Sequence, residues 1–369
     1  MDFKNLMQPH LNRVNLYTPG KPSEQLRREK NIEGEIIKLA SNENPYPPID
    51  EVKRAIIEEL ENVNRYPNSG SYYLCEELAP HIGVESNQIF VGNGSNEIID
   101  LLVRAFAGRR DEIIYPHPSF IAYNLVVSQA GVKSVMVPLR NTYYVDLQAM
   151  KEHVTQNTKM IIVCNPNNPT GTYVTGAEVE LLMNGLRPDI LVVFDEAYYE
   201  YVQADDFPNS IDLMREYPNI IILRTFSKIH SLAGLRIGYA ITHPDIVDCL
   251  HKVRQPFNVN RLAQAGARAA LKHIDEICGH ARENSEQMRY VRDELLELGF
   301  EVPESQANFL LVAPSDDHTG IVESLEDRGI IVRPAKRWGF GEASFRVTVG
   351  TEEENRRFIQ EIKKIANGT

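Results

Sequence analysis

Met160-Ile161-Ile162-Val163-Cys164 runs straight into Asn165-Pro166-Asn167-Asn168-Pro169-Thr170-Gly171. The first five residues are all apolar. The run is too short for a buried helix and rich in Ile and Val, so it reads as a strand covered on both faces. The Asn/Pro-rich stretch behind it is a turn that ends the strand. The same rhythm recurs on either side. Residues 88–91, 112–115, 134–137, 190–194, 220–223 and 236–241 are further short strands. Candidate helices lie between or after them at 97–107, 120–130, 147–154, 176–184 and 244–253. Strands alternating with helices on this scale predict an α/β fold with a mostly parallel, doubly wound sheet.

Beyond residue 255 the rhythm changes. Residues 261–298 read as one long helix, with Cys278-Gly279 as the place where it would break. Short strands at 299–302, 308–312, 330–332 and 344–349 then mix with helices at 320–328 and 352–366, a smaller α+β unit. Residues 1–42 show little periodicity and carry Pro9, Pro19, Gly20 and Pro22 as breakers. They read as an arm that packs on another domain or on a second subunit. The expected division is an arm at 1–42, a large domain at 43–255 and a small domain at 256–369.

The chain has 369 residues, enough for two or three domains at roughly 150 residues each. Its 43% hydrophobic and 24% charged residues provide a sizeable core and exclude a disordered chain. Lys+Arg of 39 against Asp+Glu of 51 gives a net charge of −12. That sign argues against nucleic acid or an anionic membrane as the partner. It leaves small anionic substrates open, because one buried arginine outweighs a distant surface charge. Cys75, Cys164, Cys249 and Cys278 are far apart, so neither a disulfide framework nor a metal knuckle is expected. Residues 1–15 lack the apolar core of a signal peptide, and no apolar run approaches the roughly 18 residues that span a bilayer. The expected location is the cytoplasm.

In open α/β sheets, ligands sit beyond the carboxyl ends of the strands. Asn168 follows the run 160–164. Asp195-Glu196-Ala197-Tyr198 follows 190–194, and Arg224-Thr225-Phe226-Ser227-Lys228 follows 220–223. Positions 168, 195 and 228 are 27 and 33 residues apart, about one strand-helix-strand repeat. Singly, each has an ordinary structural role as turn, helix cap or solvated lysine. Together they bring an amide, a carboxylate and an amine to one edge of the sheet.

At this point a resemblance is plain. The run Ser227-Lys228-Ile229-His230-Ser231-Leu232-Ala233-Gly234-Leu235-Arg236-Ile237-Gly238 resembles the lysine signature of fold-type-I pyridoxal-phosphate aminotransferases. Asn168-Pro169-Thr170-Gly171 and Asp195-Glu196-Ala197-Tyr198 match the other two signatures. Leu39-Ala40-Ser41-Asn42-Glu43-Asn44-Pro45 and Arg65-Tyr66-Pro67 resemble the histidinol-phosphate aminotransferase branch. The likeness runs from about Tyr17 to the C-terminus.

The resemblance implies pyridoxal 5′-phosphate as cofactor and assigns the site. Lys228 is the amine that forms the Schiff base and later moves a proton, which requires a lowered pKa. Asp195 pairs with the protonated pyridine nitrogen and keeps the ring an electron sink. Asn168 and Tyr198 bond the ring hydroxyl oxygen, and Phe120 stacks on the ring. Gly94, Ser95 and Asn96 open a helix whose N–H groups suit the phosphate, joined by Ser227 and Arg236. Tyr66 reaches that phosphate from the neighbouring subunit, which implies a homodimer with shared sites. Arg346 binds the substrate carboxylate, Arg333 is a second arginine, and Tyr17 reaches the substrate phosphate. The implied reaction converts histidinol phosphate and 2-oxoglutarate to imidazole-acetol phosphate and glutamate by a ping-pong route, without a metal.

Some features depart from the pattern. Asn44-Pro45-Tyr46-Pro47-Pro48 lacks the glycine often found after this tyrosine. Tyr72 and Tyr73 add aromatics near the shared site, and Trp338 stands close to Arg333. These are structural fill, or they shift preference toward another aromatic or aliphatic amino acid. Other readings are a related amino-acid aminotransferase, a threonine-phosphate decarboxylase with the same cofactor, and a non-catalytic cofactor-binding protein. Gly92-Asn93-Gly94-Ser95-Asn96-Glu97 lacks the third glycine of a dinucleotide fingerprint.

Overall fold

The computed structural model describes residues 3–14, 16, 20–314 and 318–366. The chain begins with α1 (Ser23–Lys30), β1 (Ile37–Lys38), α2 (Asp50–Glu59), α3 (Tyr72–Ile82), β2 (Ile89–Gly92) and α4 (Ser95–Phe106). Next come β3 (Glu112–His117), α5 (Ile121–Gln129), β4 (Lys133–Pro138), α6 (Leu147–Glu152), β5 (Thr158–Cys164) and α7 (Gly176–Met183). They are followed by β6 (Leu191–Asp195), α8 (Ser210–Glu216), β7 (Ile220–Thr225), β8 (Gly238–Ile241) and α9 (Pro244–Val253). The rest is α10 (Arg261–Lys272), α11 (Ile274–Glu297), β9 (Phe300–Glu301), β10 (Phe309–Pro314), α12 (Ile321–Asp327), β11 (Ile330–Ile331), β12 (Arg333–Pro334), β13 (Phe345–Thr348) and α13 (Glu352–Ala366).

Strands β2 to β8 build one seven-stranded sheet in the order β2-β8-β7-β6-β5-β3-β4. Its pairs are parallel except those of β8, which runs opposite to β2 and β7. Side chains alternate across it with period two. Ile161, Val163, Val192, Phe194, Ile220 and Ile222 enter a core shared with α3, α7 and α10. Met160, Ile162, Val193, Ile221 and Leu223 enter another, shared with α4, α5 and α9. Because both faces are covered there, the middles of β5, β6 and β7 need no polar positions, which is why they read as unbroken apolar runs. Ile161 and Ile162 are fully buried on opposite faces. Truncating either to Ala costs about 2–5 kcal/mol.

The strand order also places the site. The chain steps from β3 outward to β4, then returns and steps from β5 through β6 to β7 in the other direction. This reversal leaves a crevice between the carboxyl ends of β3 and β5.

A four-stranded antiparallel sheet, β12-β13-β10-β9, forms the smaller unit. Phe345 and Val347 of β13 pack with Leu295 of α11, Leu325 of α12 and Phe358 of α13. β1 pairs in parallel with β11, Ile37 opposite Ile330. The stretch expected to be an unpatterned arm therefore contains a helix and a strand. Lys21 reaches Glu326 of α12 at 2.6 Å. His10 Nε2 lies 2.9 Å from the backbone oxygen of Gln129, so the same segment also touches the large sheet's α5.

Two expectations change. The long helix breaks at His273, whose φ of −121° leaves the helical region, and not at Cys278-Gly279. Gly279 continues α11, where the lost propensity of one glycine is outweighed by the packing of Ile277 on the large core. Helices α2 and α3 stand where the sequence reading places no element. α3 carries Pro80 in its last turn, which reads as a breaker, but Leu74, Leu78 and Ala79 bury its apolar face. Among the described residues, no helix is long and apolar enough to cross a membrane.

Candidate active site

A cavity of about 330 Å³ opens at the crevice. Ser95, Asn96, Phe120, Asn168, Asp195, Tyr198, Ser227, Lys228, Arg236, Arg333 and Arg346 all line it. They come from loops after five strands of the large sheet and from two strands of the small one. The turn 165–171 is tied down inside: Asn167 N donates to Thr172 O at 2.7 Å and Ser119 Oγ to Asn167 Oδ1 at 2.7 Å.

Asp195 ends β6 and is 2% exposed. Its Oδ2 accepts from the Tyr123 hydroxyl at 2.7 Å. Its Oδ1 is buried and meets no protein donor. Burial pushes the carboxyl up to about 6, while the Tyr123 hydroxyl, the Ala197 backbone N–H and Lys228 pull it down. Lys228 lies in the turn after β7. Its Nζ donates to the backbone oxygens of Asn42 at 3.1 Å and Ser41 at 3.4 Å. Burial, aided by the positive Arg346 and Arg236, pushes this amine down to about 7, against Glu43 and Asp195. Such an amine is largely uncharged just above neutral pH, the state needed to attack a carbonyl or accept a proton.

The Tyr198 oxygen accepts from Asn42 Nδ2 at 2.9 Å and Asn168 Nδ2 at 3.2 Å. Burial raises its phenol, so it stays protonated. Arg346 is 5% exposed. Its Nη1 donates to Asn168 Oδ1 at 2.6 Å and its Nη2 to Ala40 O at 2.8 Å. The Phe309 and Trp338 rings lie 5.2 and 5.3 Å from its guanidinium carbon.

The opposite charge is provided for where α4 begins. Gly94 caps that helix with φ +81°, and a Cβ there would lie 2.7 Å from Arg236 Nη2. Glycine lets the guanidinium close over the helix end. Gly238 does the same for the sheet: a Cβ would lie 2.7 Å from the Ser95 nitrogen. Arg236 Nη1 donates to Ser227 Oγ at 3.4 Å. Helix N–H groups, a hydroxyl and a guanidinium make a phosphate cradle. The whole set fits a ligand with a protonated ring nitrogen for Asp195 Oδ1, a carbonyl for Lys228 and a phosphate for this cradle. Among the described residues, no group of His, Cys, Asp and Glu is arranged to hold a metal ion.

The family model "Aminotransferase class I and II" matches residues 34–362. The chain belongs to the class I and II aminotransferases. It is 41% identical to the histidinol-phosphate aminotransferase of Brevibacillus brevis over 364 residues, covering 98% of this chain and 99% of that one. It is also 41% identical to the histidinol-phosphate aminotransferase of Moorella thermoacetica over 351 residues, covering 95% and 90%. Its fold matches the histidinol-phosphate aminotransferase of Sinorhizobium meliloti, solved in complex with pyridoxal-5′-phosphate. The TM-score is 0.88 at 24% identity, with 98% of each chain covered. The aspartate aminotransferase of Thermotoga maritima gives a TM-score of 0.85 at 20% identity, covering 98% of this chain and 100% of that one. These likenesses show the fold-type-I architecture that the motifs imply.

Not every expected residue lines the cavity of this aminotransferase. Tyr66 is 78% exposed, stacked on Phe257 with ring centroids 4.4 Å apart. Tyr17 lies outside the described residues. Gly94 sits directly behind Ser95, contributing through the space it leaves. Residues that the sequence left without a role also touch the cavity residues. Asn42 bridges Lys228 and Tyr198 from the β1 side of the molecule, a contact no spacing rule foretells. Tyr123 comes one helical turn after Phe120, and that i, i+3 spacing is the signal that could have found it. Cys164, Ile121, Ala197 and Trp338 are among the other lining residues.

Proposed function

We propose that this aminotransferase uses pyridoxal 5′-phosphate to transfer the amino group of histidinol phosphate to 2-oxoglutarate, giving imidazole-acetol phosphate and glutamate. The observation that carries the reading is end-to-end likeness to histidinol-phosphate aminotransferases, joined to a cavity in which Lys228, Asp195 and the α4 cradle converge. When bound, the cofactor ring supplies an electron sink for the pair left at the substrate carbon. Lys228 holds the cofactor and then carries the proton to and from that carbon. With the cofactor bound, Asp195 Oδ1 would pair with the ring nitrogen, Asn168 and Tyr198 would orient the ring oxygen, and Phe120 would stack on the ring. Ser95, Asn96, Ser227 and Arg236 hold the cofactor phosphate. Arg346 and Arg333 grip the anionic ends of the two substrates in turn, since a guanidinium fork accepts carboxylate or phosphate.

The protein works as a cytoplasmic homodimer, and Tyr66 serves the partner's cofactor phosphate. Support comes from the apolar surface around it: Ile57, Val63, Tyr66, Tyr72 and Tyr73 are each more than half exposed in the single chain. A second reading, an aromatic amino acid as donor, draws on Trp338, which lines the cavity beside Arg346 and Arg333. The test is a comparison of kcat/KM for histidinol phosphate, phenylalanine, tyrosine and leucine with 2-oxoglutarate as acceptor. A clear preference for histidinol phosphate is expected. Equal efficiencies would remove that substrate assignment and leave the transaminase, and a protein that accepts no donor would overturn the activity.

A further inference from the structure

Phe120 and Tyr123 leave the start of α5 on the same side, with ring centroids 5.6 Å apart and planes at 86°. One short segment thus delivers an aromatic ring to the cavity wall and a hydroxyl to the carboxylate beneath it. Tyr123 is fully buried, packed between α4, β3 and β5, with Tyr115 at 6.1 Å. Its hydroxyl donates to Asp195 Oδ2 at 2.7 Å. That bond occupies one carboxylate oxygen and leaves Oδ1 buried and without a hydrogen-bond partner, in a residue that lines the cavity. Burial and the neighbouring Asp195 hold the phenol well above its ordinary range, so it remains a donor at any working pH.

We propose that Tyr123 is a positioning residue of the cofactor site: its hydroxyl fixes the Asp195 carboxylate, keeps it anionic and aims Oδ1 at the ring nitrogen. The inference rests on the pyridoxal-phosphate reading above. Other groups face Asp195 as well. The Ala197 backbone N–H and Lys228 from the turn after β7 favour its anion, and Glu196 on its own strand end disfavours it. Cys164, its pairing partner on β5, is pushed up to about 12 by burial and by Asp195, so the thiol stays neutral. Tyr198, also at that strand end, stays neutral through burial. Within this shell Tyr123 is the neutral side chain whose hydroxyl bonds the carboxylate directly.

The experiment is equilibrium binding of pyridoxal phosphate to the apoenzyme across pH 5–9, for wild type, Tyr123→Phe, Asp195→Asn and the double variant. A hydrogen bond to a charged group sets the expected scale: Tyr123→Phe weakens binding roughly ten- to hundredfold near neutral pH. The acid limb of its binding profile moves to higher pH, because burial then raises the carboxyl unopposed by that hydroxyl. In the Asp195→Asn background the same substitution has little further effect. Unchanged affinity and an unchanged acid limb in Tyr123→Phe would overturn the inference, as would full additivity in the double variant. Wild type that binds no pyridoxal phosphate would instead overturn the cofactor reading itself. If Tyr123→Phe does not fold, wild type carrying [ζ-13C]tyrosine supplies the measurement. One phenol resonance should move on Asp195→Asn, and the absence of such a resonance would sink the proposal.

Discussion

Arg346 Nη1 donates to Asn168 Oδ1 at 2.6 Å and so joins β13 of the small sheet to the turn behind β5 of the large one. Its second Nη reaches Ala40 O at 2.8 Å, tying in the segment after β1. One buried guanidinium thus holds three distant stretches of chain around the cavity. The Asn168 amide passes the link on to the Tyr198 hydroxyl.

Arg346→Lys therefore removes both a fork and a clamp. A point charge cannot make two parallel bonds to a carboxylate while holding Asn168. The KM for 2-oxoglutarate should rise roughly ten- to hundredfold, with a smaller fall in kcat. Steady-state kinetics with the acceptor varied check this. An unchanged KM would move the carboxylate site away from Arg346.

Lys228→Ala should leave a folded protein that does not transfer amino groups. Removing the proton carrier costs at least about a thousandfold in rate. The measurement is single-turnover release of 2-oxoglutarate from glutamate by the cofactor-loaded variant. A rate within tenfold of wild type would place the chemistry on another residue.

The same lysine gives the apoenzyme a pH signature. Its amine is pushed down to about 7 from an ordinary 10.5. Between those values the unfolded chain binds the extra proton, so stability rises with pH across that window. Below about pH 7 the penalty of a charged, buried amine is present in full. Lys228→Met escapes it. The Tm advantage of apo Lys228→Met over apo wild type should be greatest at pH 6–7 and shrink toward pH 10. A gap independent of pH would show that the amine is not depressed.

Gly238→Ala tests the close approach of β8 to the start of α4. The new methyl would lie 2.7 Å from the Ser95 nitrogen and 2.9 Å from the Arg224 oxygen, both backbone atoms that cannot swing aside. Overpacking of this kind costs about 1–3 kcal/mol and should displace the phosphate cradle. Thermal melts and pyridoxal-phosphate binding should both suffer, and normal values in both would show that the backbone yields without loss.

The shared-site reading is open to complementation. Tyr66→Ala and Lys228→Ala subunits are each impaired when pure. Mixed after unfolding and refolding together, half the dimers are hybrids with one intact site, so roughly a quarter of wild-type activity should return. No gain on mixing would mean that Tyr66 serves its own chain or no site.

The central strands were legible because a sheet covered on both faces imprints unbroken apolar runs on the sequence. The strand-end residues Asn168, Asp195 and Lys228 were legible for a related reason: each follows such a run directly. The helix break at His273 was not. Gly279 is a local warning, but the packing of Ile277 on the large core overrides it. Residues 21–38 looked patternless because β1 is two residues long and gains its order only from β11, almost three hundred residues away.

Sequence by itself determined the fold class and singled out Lys228, Asp195 and the helix start at Ser95, which the structure brings to one cavity, since these depend on local pattern and on order along the chain. Only the tertiary structure decided which neighbours tune them. Tyr123 on Asp195, Asn42 on Lys228 and Arg346 on Asn168 are contacts between segments 72, 186 and 178 residues apart. Hydrogen bonds and burial act over a few ångströms of space, and distance along the chain carries no record of them.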